Sequence, residues 1–373
     1  MTEKYQMCNR CVMDTTDPDI QFDSRGICNH CRQYDNAIKK FVFDGREGKE
    51  KLSLVVNEIK RSARGKEYDC VIGVSGGVDS SFVAYKVKEL GLHPLAVHLD
   101  NGWDSELAVK NIELFLKKLN IDLYTHVIDW EEFKDLQLSF LYASTPDSEI
   151  PSDHAINAIL HRIAHEKKIK YIIYGCNIRT ESHLPKVWSQ GHLDWKYIKT
   201  VHKKFGHLPL KTFPHMDLLA LSWYSVTQKT FNVLNYLEYS KKDAIKILEN
   251  EVGWKYYGGK HFESIYTRFY QGYILPKKFG YDKRRTHLSS LICSGEISRQ
   301  EALEELKREP YPQELQNQDK EYVIKKFGLS EEEFGRIMNL PLKKFEDFSS
   351  YEISLLYKGM RILLRTFKIR SPW

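Results

Sequence analysis

Ser75-Gly76-Gly77-Val78-Asp79-Ser80-Ser81 decides how this chain is read, because of what flanks it. Before it lies Asp69-Cys70-Val71-Ile72-Gly73-Val74, a short branched apolar run of the kind buried in parallel sheets. After it comes a helix pattern through Phe82, Val83, Tyr85, Val87 and Leu90, stopped by Gly91. Two glycines at such a junction let backbone N–H groups close on phosphate oxygens with no Cβ in the way. The helix start adds the positive end of its dipole. Ser75, Ser80 and Ser81 supply hydroxyl donors, and Asp79 a carboxylate suited to help hold Mg²⁺. No Lys follows the glycines, so this is not a Walker A loop.

Outward from the loop, strands and helices alternate. The predicted elements are strand Pro94–Leu99, helix Glu106–Leu119, strand Asp122–Ile128, helix Ala155–Lys168 and strand Tyr171–Tyr174. Single helices between strands predict a doubly wound parallel α/β sheet, whose ligands bind at the carboxyl ends of the strands. Asp100, Asn101 and Gly102 follow one such end. Gly175, Cys176 and Asn177 follow another, with Arg179, Thr180 and Glu181 next. Asp153 reads equally as a helix N-cap or a site residue. Trp188, Trp195 and Trp223 read better as core than as stacking platforms. A helix is expected from Ser240 to Val252. The tail from Gly253 reads as mostly helical, with capping boxes at Ser298/Glu301 and Ser330/Glu333. The expected organisation is a cysteine-rich head at 1–40, a helical linker at 41–67, the nucleotide domain at 68–252 and a helical region at 253–373.

The 373 residues are 42 % hydrophobic and 28 % charged with a net charge of +6, which excludes wholesale disorder and leaves no strong polyanion footprint. No apolar run approaches membrane-spanning length, and MTEKYQMCNR lacks a signal peptide's apolar stretch. A soluble cytoplasmic protein is expected, without a membrane or nucleic-acid partner. Of seven cysteines, four form two CxxC pairs, Cys8/Cys11 and Cys28/Cys31, separated by sixteen residues. That spacing fits a tetrahedral zinc ribbon. A disulfide framework and an iron–sulfur cluster are the rivals, and His30 reads as a bystander.

SGGVDSS resembles the pyrophosphate loop of the N-type ATP pyrophosphatases, which implies an adenine nucleotide alpha hydrolase-like fold and cleavage of ATP to AMP and pyrophosphate. The stretches MCNRCVMDTTDPDIQFDSRGICNHC, VHLDNGWDSELAVKNIE, DLYTHVIDWEEF, EIPSDHAI, KHFESIYTRFYQGYILPKKFGYDKRR and HLSSLICSGEISRQEAL are similar to the N-acetyl sugar amidotransferases. This resemblance runs from Met7 to about Pro312. It implies conversion of an acetamido group on a nucleotide-activated sugar to an acetamidino group, for bacterial lipopolysaccharide or other surface glycans. It also implies structural Zn²⁺ on Cys8, Cys11, Cys28 and Cys31, together with ATP and Mg²⁺. Ser75 through Ser81, Asp100, Asn101, Gly102, Gly175 and Asn177 would bind ATP. Asp79, Ser75, Lys260 and Glu263 would be catalytic, with Lys260, His261, Glu263 and Arg268 returning to the loop. Arg179, Thr180, Glu181, Arg268, Lys278, Arg284 and Arg285 are weaker candidates for the substrate. The main domain's loop is committed to ATP and no second such domain remains, so a separate glutaminase subunit would supply ammonia. The rival reading is a tRNA-modifying sulfurtransferase with the same kind of loop, for which only Cys176 is placed as an active thiol. A noncatalytic ribbon module on an inactive nucleotide domain is the third.

Overall fold

The computed structural model describes residues 5–352, so the last part of the expected helical region lies outside them. Two helices, α1 (Asn29–Phe41) and α2 (Gly45–Ser62), precede the sheet. The α/β unit then runs β1 (Cys70–Gly73), α3 (Val78–Glu89), β2 (Pro94–Asp100), α4 (Glu106–Leu119), β3 (Asp122–Val127), α5 (Trp130–Ala143), α6 (Ile150–Glu166) and β4 (Tyr171–Tyr174). It continues through α7 (Ile178–Glu181), α8 (Trp195–Phe205), α9 (Leu218–Thr227), β5 (Lys229–Asn232) and α10 (Lys241–Val252). The tail holds α11 (Ile265–Phe269), a π-helical run Tyr270–Phe279, then α12 (Arg284–Ser294), α13 (Arg299–Leu306), α14 (Gln313–Phe327) and α15 (Glu331–Met338).

All strand pairs are parallel in the order β3-β2-β1-β4-β5, with Ile72 beside Ala96 and Val71 beside Ile172. This is the doubly wound arrangement, and the order reverses between β1 and β4. Side chains alternate across β1 into two cores. Val71, Leu95, Val97 and Ile172 face α5, α6 and α8, while Cys70, Ile72, Ala96 and Ile173 face α2, α3, α4 and α10. The tail shares the first core through Tyr266, Phe269, Val323 and Phe327. In the stretch read as a linker, Leu52, Val56 and Ile59 of α2 belong to the second core.

Local signals set most boundaries. Ser105 and Ser240 cap α4 and α10 by accepting from the amides of Ala108 and Asp243. Both predicted capping boxes form, at α13 and α15. α6 starts at Ile150, earlier than expected, because Pro151 suits a first turn. Asp153 is therefore inside that turn and is not the N-cap. α5 has no counterpart among the predicted elements, although Asp129 caps it and Phe133, Leu136 and Phe140 are buried at helical spacing. No helix among the described residues is long and apolar enough to cross a membrane.

Candidate active site and cysteine centre

The loop after β1 is built by close contacts. Gly76 has φ +75°, and a Cβ there would lie 2.6 Å from the carbonyl oxygen of Ala108 on α4. Gly175, after β4, approaches so near that its Cβ would lie 3.3 Å from the backbone of Asp79 and Ser80. The ends of β1 and β4 thus meet at the switch point. Ser80 Oγ accepts from Ser75 N at 3.2 Å, and the Ser75 and Ser80 hydroxyls are also 3.2 Å apart. The first intrahelical bond of α3 is Ser81 N to Gly77 O, at 3.0 Å. The amides ahead of it are the ones a helix start offers to an anion.

The segment after α10 clamps this loop. Trp254 Nε1 donates to Gly76 O at 2.9 Å, and Val78 N donates to the Tyr257 hydroxyl at 3.1 Å. Asn111 of α4 pins the segment by exchanging two hydrogen bonds with the Lys255 backbone. The chain then passes Lys260 and Glu263 onto the loop. Glu263 Oε1 would lie 3.3 Å from a Cβ at Gly77, and Ser105 N donates to Glu263 O at 2.8 Å. Lys260 Nζ sits 3.3 Å from Glu181 Oε1, and His261 Nδ1 3.6 Å from Glu263 Oε1. Among the described residues, Glu263 Oε2, Asn177 Nδ2 and Ser81 Oγ are buried without a hydrogen-bond partner. Buried polar atoms of this kind are costly unless something else satisfies them.

The charges here interact strongly. Burial raises the Asp79 carboxyl, and nearby Glu181 raises it further. Asp79 accepts a hydrogen bond from the Tyr239 hydroxyl. Burial works against ionising Glu181 and Glu263, but Lys260 holds the first low and His261 the second. Burial lowers Lys241, with Asp79 pulling it back. Three carboxylates and two lysines therefore surround a glycine loop, a set suited to a polyphosphate with a divalent cation. Tyr239, Lys241, Trp254 and Tyr257 were not among the sequence candidates. The aromatic pair Trp254/Tyr257 beside two glycines, Gly258 and Gly259, was the available signal.

A second recess adjoins the first. Asn101 Nδ2 reaches Ser152 at 3.3 Å, at the start of α6. His192 Nε2 lies 3.4 Å from both Asp147 and Asp153, and 2.9 Å from the Ser189 hydroxyl, which donates to Asp147. Lys283 Nζ lies 3.9 Å from Glu149. The Asp153 side chain is half exposed, and desolvation by the groups around it pushes its carboxyl up to about 6 although His192 opposes the shift. Asp147, despite its burial, is held down to about 2 by His192 and Lys283. A cleft of about 90 Å³ is lined by Lys260 and His261 of the first group and by Lys283 of the second, together with Gln271 and His287.

Other candidates are placed differently. Asp100 and Asn101 accept from the amides of Gly102 and Trp103, and Lys326 of α14 donates to Gly102 O. Arg179 bonds Asp44 and Leu234 O, Thr180 bonds Asn177, and Lys278 bonds Ile337 O. Arg268 forks onto Asp319 at 2.8 and 2.7 Å. Arg284 holds Asp282 and the carbonyls of Glu305 and Arg308, so it and Arg268 border the cleft with their charges matched internally. Arg285 turns to the head, at 2.8 Å from Val12 O and 3.0 Å from Asp14. Trp188 and Trp195 are core, whereas Trp223 is exposed on α9. His154 is fully buried, bonded to His192 O and Met216 N. Cys176 is exposed just after β4, where desolvation by its crowded surroundings raises its thiol to about 12, helped by Glu181.

In the head, Sγ separations are 3.9 Å for Cys8–Cys31, 3.7 Å for Cys11–Cys28 and 3.7 Å for Cys28–Cys31. A zinc–sulfur bond of about 2.3 Å gives a tetrahedron edge of about 3.8 Å. All four thiols are buried and free, and the amides of Arg10, Met13 and Cys28 point at sulfur. One four-coordinate ion fits this set, and disulfide pairing does not. His30 bonds Asp17 at 2.6 Å and stays outside it.

Comparison with known proteins adds one firm point. Residues 263–363 match the C-terminal domain of the WbpG-like LPS biosynthesis proteins. That stretch opens on Glu263, the residue that reaches the loop, and agrees with the sugar-amidotransferase resemblance of the sequence motifs. No curated protein matches the chain. Among solved structures, it resembles an NH3-dependent NAD synthetase from Campylobacter jejuni at 17 % identity and TM-score 0.27, covering 35 % of this chain and 57 % of that one. It also resembles an NMN synthetase from Francisella tularensis at 16 % identity and TM-score 0.28, covering 59 % and 90 %. Both likenesses are weak, and the doubly wound fold stands on the strand order itself.

Proposed function

We propose that this chain is the synthetase subunit of an ATP-dependent amidotransferase of lipopolysaccharide biosynthesis. It would convert an acetamido group of a nucleotide-activated sugar into an acetamidino group. One observation supports the reading: Glu263, the first residue of the WbpG-like stretch, approaches the glycine loop, and Lys260 just before it pairs with Glu181. An amide carbonyl oxygen is a poor leaving group, so the chemistry needs an activating group on that oxygen. Attack of the amide oxygen on the α-phosphate of ATP expels pyrophosphate. Ammonia then adds to the imidate carbon, AMP leaves with the oxygen, and the added nitrogen gives up the excess protons to solvent, keeping one as the amidine N–H.

Gly76, Gly77 and the Asp79 and Ser80 amides of α3 would hold the departing pyrophosphate, with Ser75 and Ser80 as hydroxyl donors and the Val78 amide held by Tyr257. Lys260 and Lys241 would balance its charge. Asp79 and Glu263 would hold Mg²⁺ together with phosphate oxygens. The cleft lined by Lys283, with the Asp153–His192 pair near it, would seat the sugar, and Asp153, whose carboxyl desolvation raises, would be the proton acceptor. Ammonia would come from a separate glutaminase subunit.

The test supplies purified protein with ATP, Mg²⁺, ammonium and a panel of UDP- and CMP-linked acetamido sugars. Release of AMP and pyrophosphate with a product about one dalton lighter, as NH replaces O, is expected; glutamine alone should not replace ammonium. AMP release that instead requires tRNA and a sulfur donor would overturn the reading in favour of the sulfurtransferase. The raised thiol of Cys176 speaks against a nucleophilic role, since thiolate is the reactive form. Cys176→Ser should therefore keep at least about half of turnover, where a thiolase would lose essentially all of it.

A further inference from the structure

Five thiols meet at the head rather than four. Cys293 Sγ, from α12, lies 3.8 Å from Cys31 Sγ and 3.6 Å from His183 Nε2. The ligand atoms of Cys31, His183 and Cys293 all fall within 4.8 Å of one another, as do those of the four ribbon cysteines, and Cys31 belongs to both sets. We propose that Cys31, His183 and Cys293 hold a second divalent cation of zinc's class, with the Cys31 thiolate bridging the two ions.

The tautomer of His183 supports this. Its Nδ1 lies 2.9 Å from Ser290 Oγ, and that hydroxyl directs its own hydrogen to Thr286 O at 3.1 Å. Ser290 therefore accepts from Nδ1–H, which leaves a lone pair on Nε2 facing the two sulfurs. A ring nitrogen fixed in this way by an outer hydrogen bond is the usual preparation of a histidine ligand. The ring is fully buried and packs beside Tyr34 at 5.3 Å.

Charge favours the second ion as well. Four thiolates around one Zn²⁺ leave a net charge of about −2 in a buried place. A second Zn²⁺ with the Cys293 thiolate and a neutral histidine brings that to about −1. Binding would release the Cys293 thiol proton to solvent. With three protein ligands, the second ion would complete its shell with water on the side where Cys293 is partly exposed.

The proposal rests on the four ribbon cysteines being an ion site, and metal content separates the two ideas without an activity assay. Protein equilibrated with excess zinc, desalted and measured by elemental analysis should carry two ions per chain. Cys293→Ser and His183→Asn should each carry one; asparagine keeps a donor toward Ser290 while removing the Nε2 ligand. In a cobalt titration, thiolate-to-cobalt absorption should grow through the second equivalent in the parent protein and stop after the first in Cys293→Ser. One ion per chain in the parent overturns the second centre alone, and so do two ions unaffected by either variant. No bound ion overturns both.

Discussion

Gly76→Ala is expected to lower AMP and pyrophosphate release at least about a hundredfold, the loss that follows when a reacting centre shifts by about an ångström. Two separate faults combine at this position. The backbone sits at φ +75°, a conformation that costs an L-residue about 1–2 kcal/mol. The added Cβ would also meet Ala108 O at 2.6 Å and its Cα at 3.0 Å. Those atoms are backbone in the first turn of α4, whose position is fixed by the Ser105 cap and by Asn111 on the Lys255 backbone. The loop must therefore move instead, and Gly76 O moves with it, away from Trp254. Gly65→Ala isolates the first fault, since Gly65 has φ +78° and no atom within 4 Å of a Cβ. It should lose about 1 kcal/mol in stability and keep full turnover. Thermal midpoints and AMP release at saturating ATP, measured on both variants, decide the matter. Full turnover in Gly76→Ala would remove the loop from the chemistry.

The parts of this molecule legible in sequence are those whose signals are local. A glycine-flanked apolar run marks β1, Ser105 and Asn120 bracket α4, and the two capping boxes start α13 and α15. The two CxxC turns were equally plain, because each places its thiols within a few residues. What the sequence did not disclose depends on distant partners. Trp254 and Tyr257 act on a loop almost 180 residues upstream, and the two glycines that follow them mark a tight segment without saying what it closes on. Arg284 and Arg285 read as candidates for the substrate until Asp282, Asp14 and three carbonyls are seen to hold them. Cys293 has no partner near it in sequence for the same reason: His183 and Cys31 come to it from two other segments.

Cys28→Ser should have the second large effect, and its reach should extend beyond the head. Removing one thiolate from a buried tetrahedral set leaves an ion short of a ligand and costs several kcal/mol of folding free energy. In a chain of this size that corresponds to a thermal midpoint lower by about 5–10 °C. The head is also the support of α12 and α13. Arg299 donates to the carbonyls of Cys8 and Cys11, both at 3.0 Å, and Arg285 donates to Val12 O. Val12 N donates in turn to Ser289 Oγ at 3.2 Å, while its side chain packs on Leu288 and Ala302. α12 begins beside Lys283 and carries His287, both of which line the cleft with Lys260 and His261. Loss of the ion should therefore loosen the cleft as well as the ribbon, so that turnover falls together with stability and early proteolysis concentrates before residue 36. Arg299→Ala tests the coupling by itself: metal content should stay unchanged while turnover and midpoint both drop part of the way. If Cys28→Ser loses its ion yet keeps midpoint and turnover, the head is not what holds α12 in place. The tail would then owe its position to Tyr266, Phe269 and Phe327 in the sheet's own core.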